Sequence, residues 1–215
     1  MIAILCSDYI NTTSRGEFPM TAGHVRGSGR GRLLDAAIEL IATKGLHALT
    51  LRDVAKTAGM SLGSTTYHFA DRTLLIGAAV QRYAEDEISR VDAAVEAWDP
   101  ESGTAEDLVA AMFVELGHSF TQPGSVIAQM EMYLESSRNP ELSELSKRLI
   151  AAFEKLIVKA LTEMGVAEDQ AAKRAARVII YADGLAIQSA ARGTPNELPE
   201  DAAAAMFTLA STEAP

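Results

Sequence analysis

One cysteine in 215 residues, Cys6, excludes an intrachain disulfide and any CxxC pair, so neither a zinc knuckle nor a redox couple is available. Four histidines, His24, His47, His68 and His118, show none of the spacings of a metal motif, and no convergent nucleophile and base accompany them. The expectation is therefore a protein without metal, cofactor or catalytic centre. Long hydrophobic runs are missing too: the first, Met1 to Cys6, is too short to cross a bilayer and lacks the basic start and cleavage pattern of a signal peptide. A cytoplasmic protein with no membrane partner is the reading. Aromatics are few, at 6%, and stretches alternating at the period of a β-strand are absent. What remains is 48% hydrophobic and 22% charged, rich in alanine, with glycine and proline falling mostly between apolar-periodic segments. That composition predicts an all-α globular fold of about nine helices.

Positive charge is scarce overall, with 19 Lys and Arg against 29 Asp and Glu, and a formal net charge of −10. Its distribution is uneven. Between His24 and Arg72 lie seven basic residues (Arg26, Arg30, Arg32, Lys44, Arg52, Lys56, Arg72) against four acids (Asp35, Glu39, Asp53, Asp71), a net of +3. From Thr73 onward the net is −12. One small block thus carries the field that a polyanion would recognise. Residues 1–27 read as a flexible arm running into the basic, glycine-spaced HVRGSGRGR, which either follows DNA phosphates or stays without order.

Within the basic block the punctuation is specific. A helix is predicted over about 31–44, with Leu33, Leu34, Ala37, Ile38 and Ile41 on one face and Gly45 as its stop. Thr50 and Asp53 form a capping box for a second helix over about 51–58, closed by Gly59. Ser61 then caps a third after a turn of only a few residues, the sequence form of a helix-turn-helix. A long amphipathic segment over about 72–97, capped by Asp71, leads out of this block. Further helices are predicted over 104–120, 125–137, 140–164, 168–191 and 200–209, separated by short breaks.

The third helix is SLGSTTYHF, residues 61–69, and by propensity it is weak. A helix that enters the major groove needs short side chains near its N-terminus, and Gly63, Ser64, Thr65 and Thr66 meet that need. Tyr67 and His68 add reach toward phosphates, and Phe69 anchors the helix in the core. Read as residue types alone, the stretch serves equally as an ordinary short capped helix. The local charge and the capped helix before it favour DNA.

The run LLDAAIELIATKGLHALTLRDVAKTAGMSLGSTTYHFADRTLLIGAAV resembles the DNA-binding domain of the TetR family of bacterial transcriptional regulators. The first helix face, Gly45, the segment from Thr50 to Gly59, the Tyr-His-Phe ending and the basic residue after it are in register. The resemblance covers about residues 30–80. Beside the arm read at 1–27, it implies a helix-turn-helix domain at 28–73 and a helical effector-binding and dimerisation domain at 74–215. It also implies a homodimer on a double-stranded, palindromic DNA operator and a C-terminal domain that binds a small molecule; the leading reading is a repressor released from that operator by its effector. An activator or ligand-independent regulator of the same fold is the alternative, and a helical protein-interaction module another. Carried over by residue, Ser61, Leu62 and Gly63 open the reading helix and Ser64, Thr65 and Thr66 face base edges. Tyr67 and His68 contact backbone or nearby bases, while Arg52 and Arg72 hold phosphates. Three positions depart from the family pattern: Leu62 where a polar or basic residue is common, Thr65 where an aliphatic is usual, and Thr66 where an aromatic is frequent.

Beyond residue 80 the signal is weaker. Met112, Phe113, Leu116, Phe120, Met130, Tyr133, Leu134 and Phe153 either line an apolar effector cavity or form plain core, with Gln129, Glu131, Glu135 and His118 as polar candidates beside them. Small residues recur along the eighth helix, and Ala175, Ile179, Ala182, Ala186, Ile187 and Ala190 are the expected dimer contact. The alternative is that they pack within one subunit.

Overall fold

The structure, a computed structural model, describes residues 28–121, 124–194 and 199–212; the predicted arm at 1–27 and Cys6 lie outside them. Nine helices and no strand occur among the described residues: α1 Gly29–Lys44, α2 Leu51–Thr57, α3 Leu62–His68, α4 Arg72–Glu96, α5 Ala105–Thr121, α6 Ser125–Ser136, α7 Pro140–Glu163, α8 Glu168–Ala191 and α9 Ala202–Ser211. The fold is all-α, as the composition requires.

Local chemistry explains the helix ends. α1 begins two residues earlier than its apolar period suggests, because the Ser28 hydroxyl accepts the Gly31 N–H at 3.0 Å. It stops at Gly45, whose φ of 76° is open to glycine at little cost. Thr50 Oγ1 accepts from the Asp53 N–H at 3.1 Å and donates to the Asp53 carboxylate at 2.8 Å. Ser61 Oγ accepts the Ser64 N–H at 3.0 Å and so opens α3. A reciprocal box starts α5, where the Thr104 N–H donates to Asp107 and Thr104 Oγ1 accepts the Asp107 N–H.

Two compact units result. One holds described residues 28–86 and 124–146; the other holds 87–121, 147–194 and 199–212. The division crosses two helices. It cuts α4 after Asp86 and α7 after Ser146, and it places α6 with the helix-turn-helix. Packing is the reason: α6 lies on α1, Gly124 faces Ala42, and the Tyr83 hydroxyl donates to the Ser125 carbonyl at 3.3 Å with its side-chain oxygen 3.0 Å away. Leu33, Leu34, Ala37, Ile41, Leu46, Leu49, Val54, Phe69 and Leu75 are buried in this first unit. In the second unit α9 packs on α8, and buried Arg174 donates to the Ala210 and Ser211 carbonyls, satisfying the end of α9.

Candidate nucleic-acid interface

α3 owes its order to its neighbours. Its seven residues include one glycine, one serine and two threonines, too short and too poor in helix formers to persist alone. Packing against α1 and α2 holds it, with Phe69 buried at its C-terminal end and the Arg30 guanidinium 5.2 Å from the centre of the Phe69 ring. In the sequence Arg30 stands out as local charge and as part of the basic stretch HVRGSGRGR. Its position at the first turn of α1, over the anchor of α3, was not readable from spacing.

The orientation of α3 sorts the predicted contacts. Leu62, Gly63, Thr66 and Tyr67 face outward, Tyr67 with 85% of its surface exposed. Ser64 and His68 are half-buried. Thr65 is a correction: it is fully buried and its hydroxyl donates to the Ser61 carbonyl at 3.1 Å, so it cannot face base edges. Residues 65 and 69 are one turn apart, and the burial of Phe69 carries Thr65 inward with it. A threonine replaces the usual aliphatic here because its methyl packs while its hydroxyl is satisfied within the helix.

Arg72 is also placed differently from the expectation. Its Nε donates to the Leu49 carbonyl at 2.6 Å and its Nη2 to the Leu46 carbonyl at 2.5 Å. The guanidinium therefore ties the start of α4 to the connection between α1 and α2. Arg52 and Lys56 lie exposed on α2, where they can meet a polyanion. Lys44 sits 4.0 Å from Asp53, at the far end of α1.

The predicted effector set is divided between the two units. Met112, Phe113, Leu116, Phe120 and Phe153 are buried in the second, and Gln129, Met130 and Tyr133 are half-buried in the first, where Gln129 Nε2 lies 3.0 Å from the Tyr133 hydroxyl. A charged cluster interrupts the apolar core of the second unit. Arg90 bonds Glu87 at 2.6 Å and pairs with Glu115 of α5, and both carboxylates are buried. Burial, then the nearby Arg90 charge, lowers the pKa of His118.

The predicted dimer contact requires the second correction. Ala175, Ile179, Ala182 and Ala186 are buried inside the single chain, on the inward face of α8 with Val178 and Leu185. Each of the four has less than a tenth of its surface exposed. Ala190 is half-buried, and Ile187 is exposed. The outward apolar face of α8 is instead set by Ile180, 70% exposed, and Ile187, 56% exposed, two turns apart with Gly184 between them.

Comparison with known proteins agrees with this geometry. The family model described as "Tetracyclin repressor-like, C-terminal domain" matches residues 101–211, and that described as "Bacterial regulatory proteins, tetR family" matches residues 33–79. The chain is 26% identical over 162 residues to the nicotine-responsive transcriptional repressor HdnoR of Paenarthrobacter nicotinovorans, covering 74% of this chain and 82% of that protein. A solved structure of a TetR family member from Streptomyces coelicolor is 29% identical with a TM-score of 0.58, covering 85% of this chain and 98% of the other. A transcriptional regulator from Saccharomonospora viridis, solved in complex with choline, is 26% identical with a TM-score of 0.62, covering 75% and 85%.

Proposed function

The chain belongs to the TetR family of DNA-binding transcriptional regulators, and we propose that it acts as a homodimeric repressor released from a palindromic operator by a small-molecule effector. A regulator of this family is a DNA-binding protein and not an enzyme. The observation that carries the reading is α3 itself: a short helix held by its neighbours, presenting light side chains outward next to exposed Arg52 and Lys56. Each subunit would place α3 in one of two successive major grooves, since a single helix-turn-helix rarely contacts enough DNA for specific binding. The outward face of α8, with Ile180, Gly184 and Ile187, supports the second copy.

For the effector, the support is the apolar and Met-containing core of α5 and α7 together with the related proteins. One of those is described as nicotine-responsive and another was solved with choline. α4 and α7 run continuously through both units and are the covalent route by which a ligand would bias the reading head. The ligand must bind the DNA-competent and released states with different affinities.

Selection of bound duplexes from a random pool at low salt tests the DNA reading. An enriched sequence with two-fold symmetry is expected, and asymmetric enrichment would overturn the homodimer. Operator affinity is then measured with and without nicotine or choline. A loss of affinity identifies an inducer, a gain makes the compound a corepressor, and no change removes that compound.

A further inference from the structure

The outward face of α3 lacks the charged and amide side chains with which proteins most often read base edges. Arginine or lysine on guanine, asparagine or glutamine on adenine, and a carboxylate on cytosine are the pairings that hydrogen-bond geometry favours. None of these residue types occurs anywhere in Leu62–His68. What the helix offers is Leu62, 42% exposed, with Gly63, Thr66 and Tyr67. Thr66 Oγ1 donates to the Gly63 carbonyl at 3.0 Å, so its hydroxyl proton is engaged within the helix and its methyl remains to be presented. Leu62 and Thr66 stand four residues apart and therefore form one side-by-side pair on a helix. Gly63 between them lets the backbone approach closely, because a Cβ there would find only Ser61 Oγ, at 3.9 Å.

The one apolar group on the floor of the major groove is the C5-methyl of thymine. We propose that this protein reads its operator half-site through thymine methyl groups, with Leu62 and Thr66 as the specificity-determining residues that cover them. This rests on the DNA-binding reading above and deepens it by naming the class of sequence. The half-site carries thymines under the N-terminal turn of α3, and discrimination there is of thymine from cytosine and uracil by a methyl group. Orientation and affinity come from phosphate contacts outside α3, as a face without charge requires.

The test uses the full-length protein and the duplex enriched by random selection. Each thymine of the half-site is replaced singly by deoxyuridine, which removes the methyl and leaves base pairing unchanged, and affinity is measured by competition at fixed salt. The expected result is a loss of about three- to tenfold at one or two positions and none elsewhere. In Leu62→Ala or Thr66→Ala protein, thymine and deoxyuridine duplexes should bind alike at the position that residue covers. The inference is overturned if every deoxyuridine duplex binds within twofold of its parent, if the enriched half-site is built of G·C pairs, or if the methyl effect survives in both variants. Absence of binding to any duplex would overturn the DNA-binding reading itself and this inference with it.

Discussion

α3 and α8 both turn exposed large side chains outward, Leu62 and Tyr67 on the first and Ile180 and Ile187 on the second, and they reach that state by opposite means. α3 has seven residues and buries only Thr65 within itself, relying on Phe69 and on packing against α1 and α2 for its order. α8 has 24 residues and buries nine of them along one face, so it is held by its own length and core. The difference teaches where each helix is vulnerable. Damage to the surroundings of α3 should cost it the ability to read, whereas α8 should respond only to changes on its own faces.

The largest expected effect tests the dependence of α3 on its scaffold. Gly124 has φ of 78°, and a Cβ there would lie 2.1 Å from the Ala42 Cβ on α1. Gly124→Ala should destabilise the protein by about 3 kcal/mol, combining backbone strain and overpacking at the α1–α6 contact. Adding Ala42→Gly removes the overlap but not the strain, so denaturant unfolding of the double variant should show partial recovery. Full recovery would mean that the backbone conformation costs nothing.

Next in size is Arg72→Ala, which strips the donors from the Leu46 and Leu49 carbonyls. A loss of about 2 kcal/mol in unfolding free energy is expected. Arg72→Lys should recover little of it, because an ammonium cannot span both carbonyls as the guanidinium fork does. The salt slope of operator binding separates this structural role from a phosphate contact: a slope lowered by about one unit in Arg72→Ala assigns the phosphate role as well.

On α8 the sharpest test is Asp183, half-buried, whose carboxyl is pushed up from 3.8 to about 6 by burial. The folded chain therefore keeps a proton between those values that the unfolded chain has released. Stability falls as pH rises through this window and is lowest above it. Partial exposure reduces the full linkage energy, leaving about 1–2 kcal/mol. Asp183→Asn should be more stable than the parent by that amount at pH 8, with the advantage gone at pH 4. A pH-independent difference would show that the carboxyl does not titrate there.

Much of this was legible in the sequence, and what was not has a common physical cause. The caps at Thr50 and Ser61, the Gly45 stop and the order of the helices follow from local chemistry, which sequence records directly. Which way a helix is turned does not. α3 is under two turns long and carries no apolar stripe, so its inward residue is set by the burial of Phe69, and Thr65 went to the wrong face. α8 carries isoleucine on both faces, Ile179 inward and Ile180 outward, so composition alone assigned its small residues to a partner when they pack at home. The α1–α6 packing joins residues 82 positions apart at Ala42 and Gly124, and no periodicity announces it.

The smallest effects return to the two helices through a residue they share. Gly63 in α3 and Gly184 in α8 both sit inside a helix with room for a methyl, the first 3.9 Å from Ser61 Oγ and the second with nothing within 4 Å. Substitution by alanine should raise stability by about 0.5–1 kcal/mol in each case, from helix propensity alone. Binding should separate them. Gly63→Ala places a methyl between the helix and the base edges and should weaken operator affinity without changing self-association. Gly184→Ala places one on the outward face between Ile180 and Ile187 and should weaken self-association first, measured by sedimentation at falling concentration. An alanine that stabilises either helix and weakens neither binding event would show that its face meets nothing.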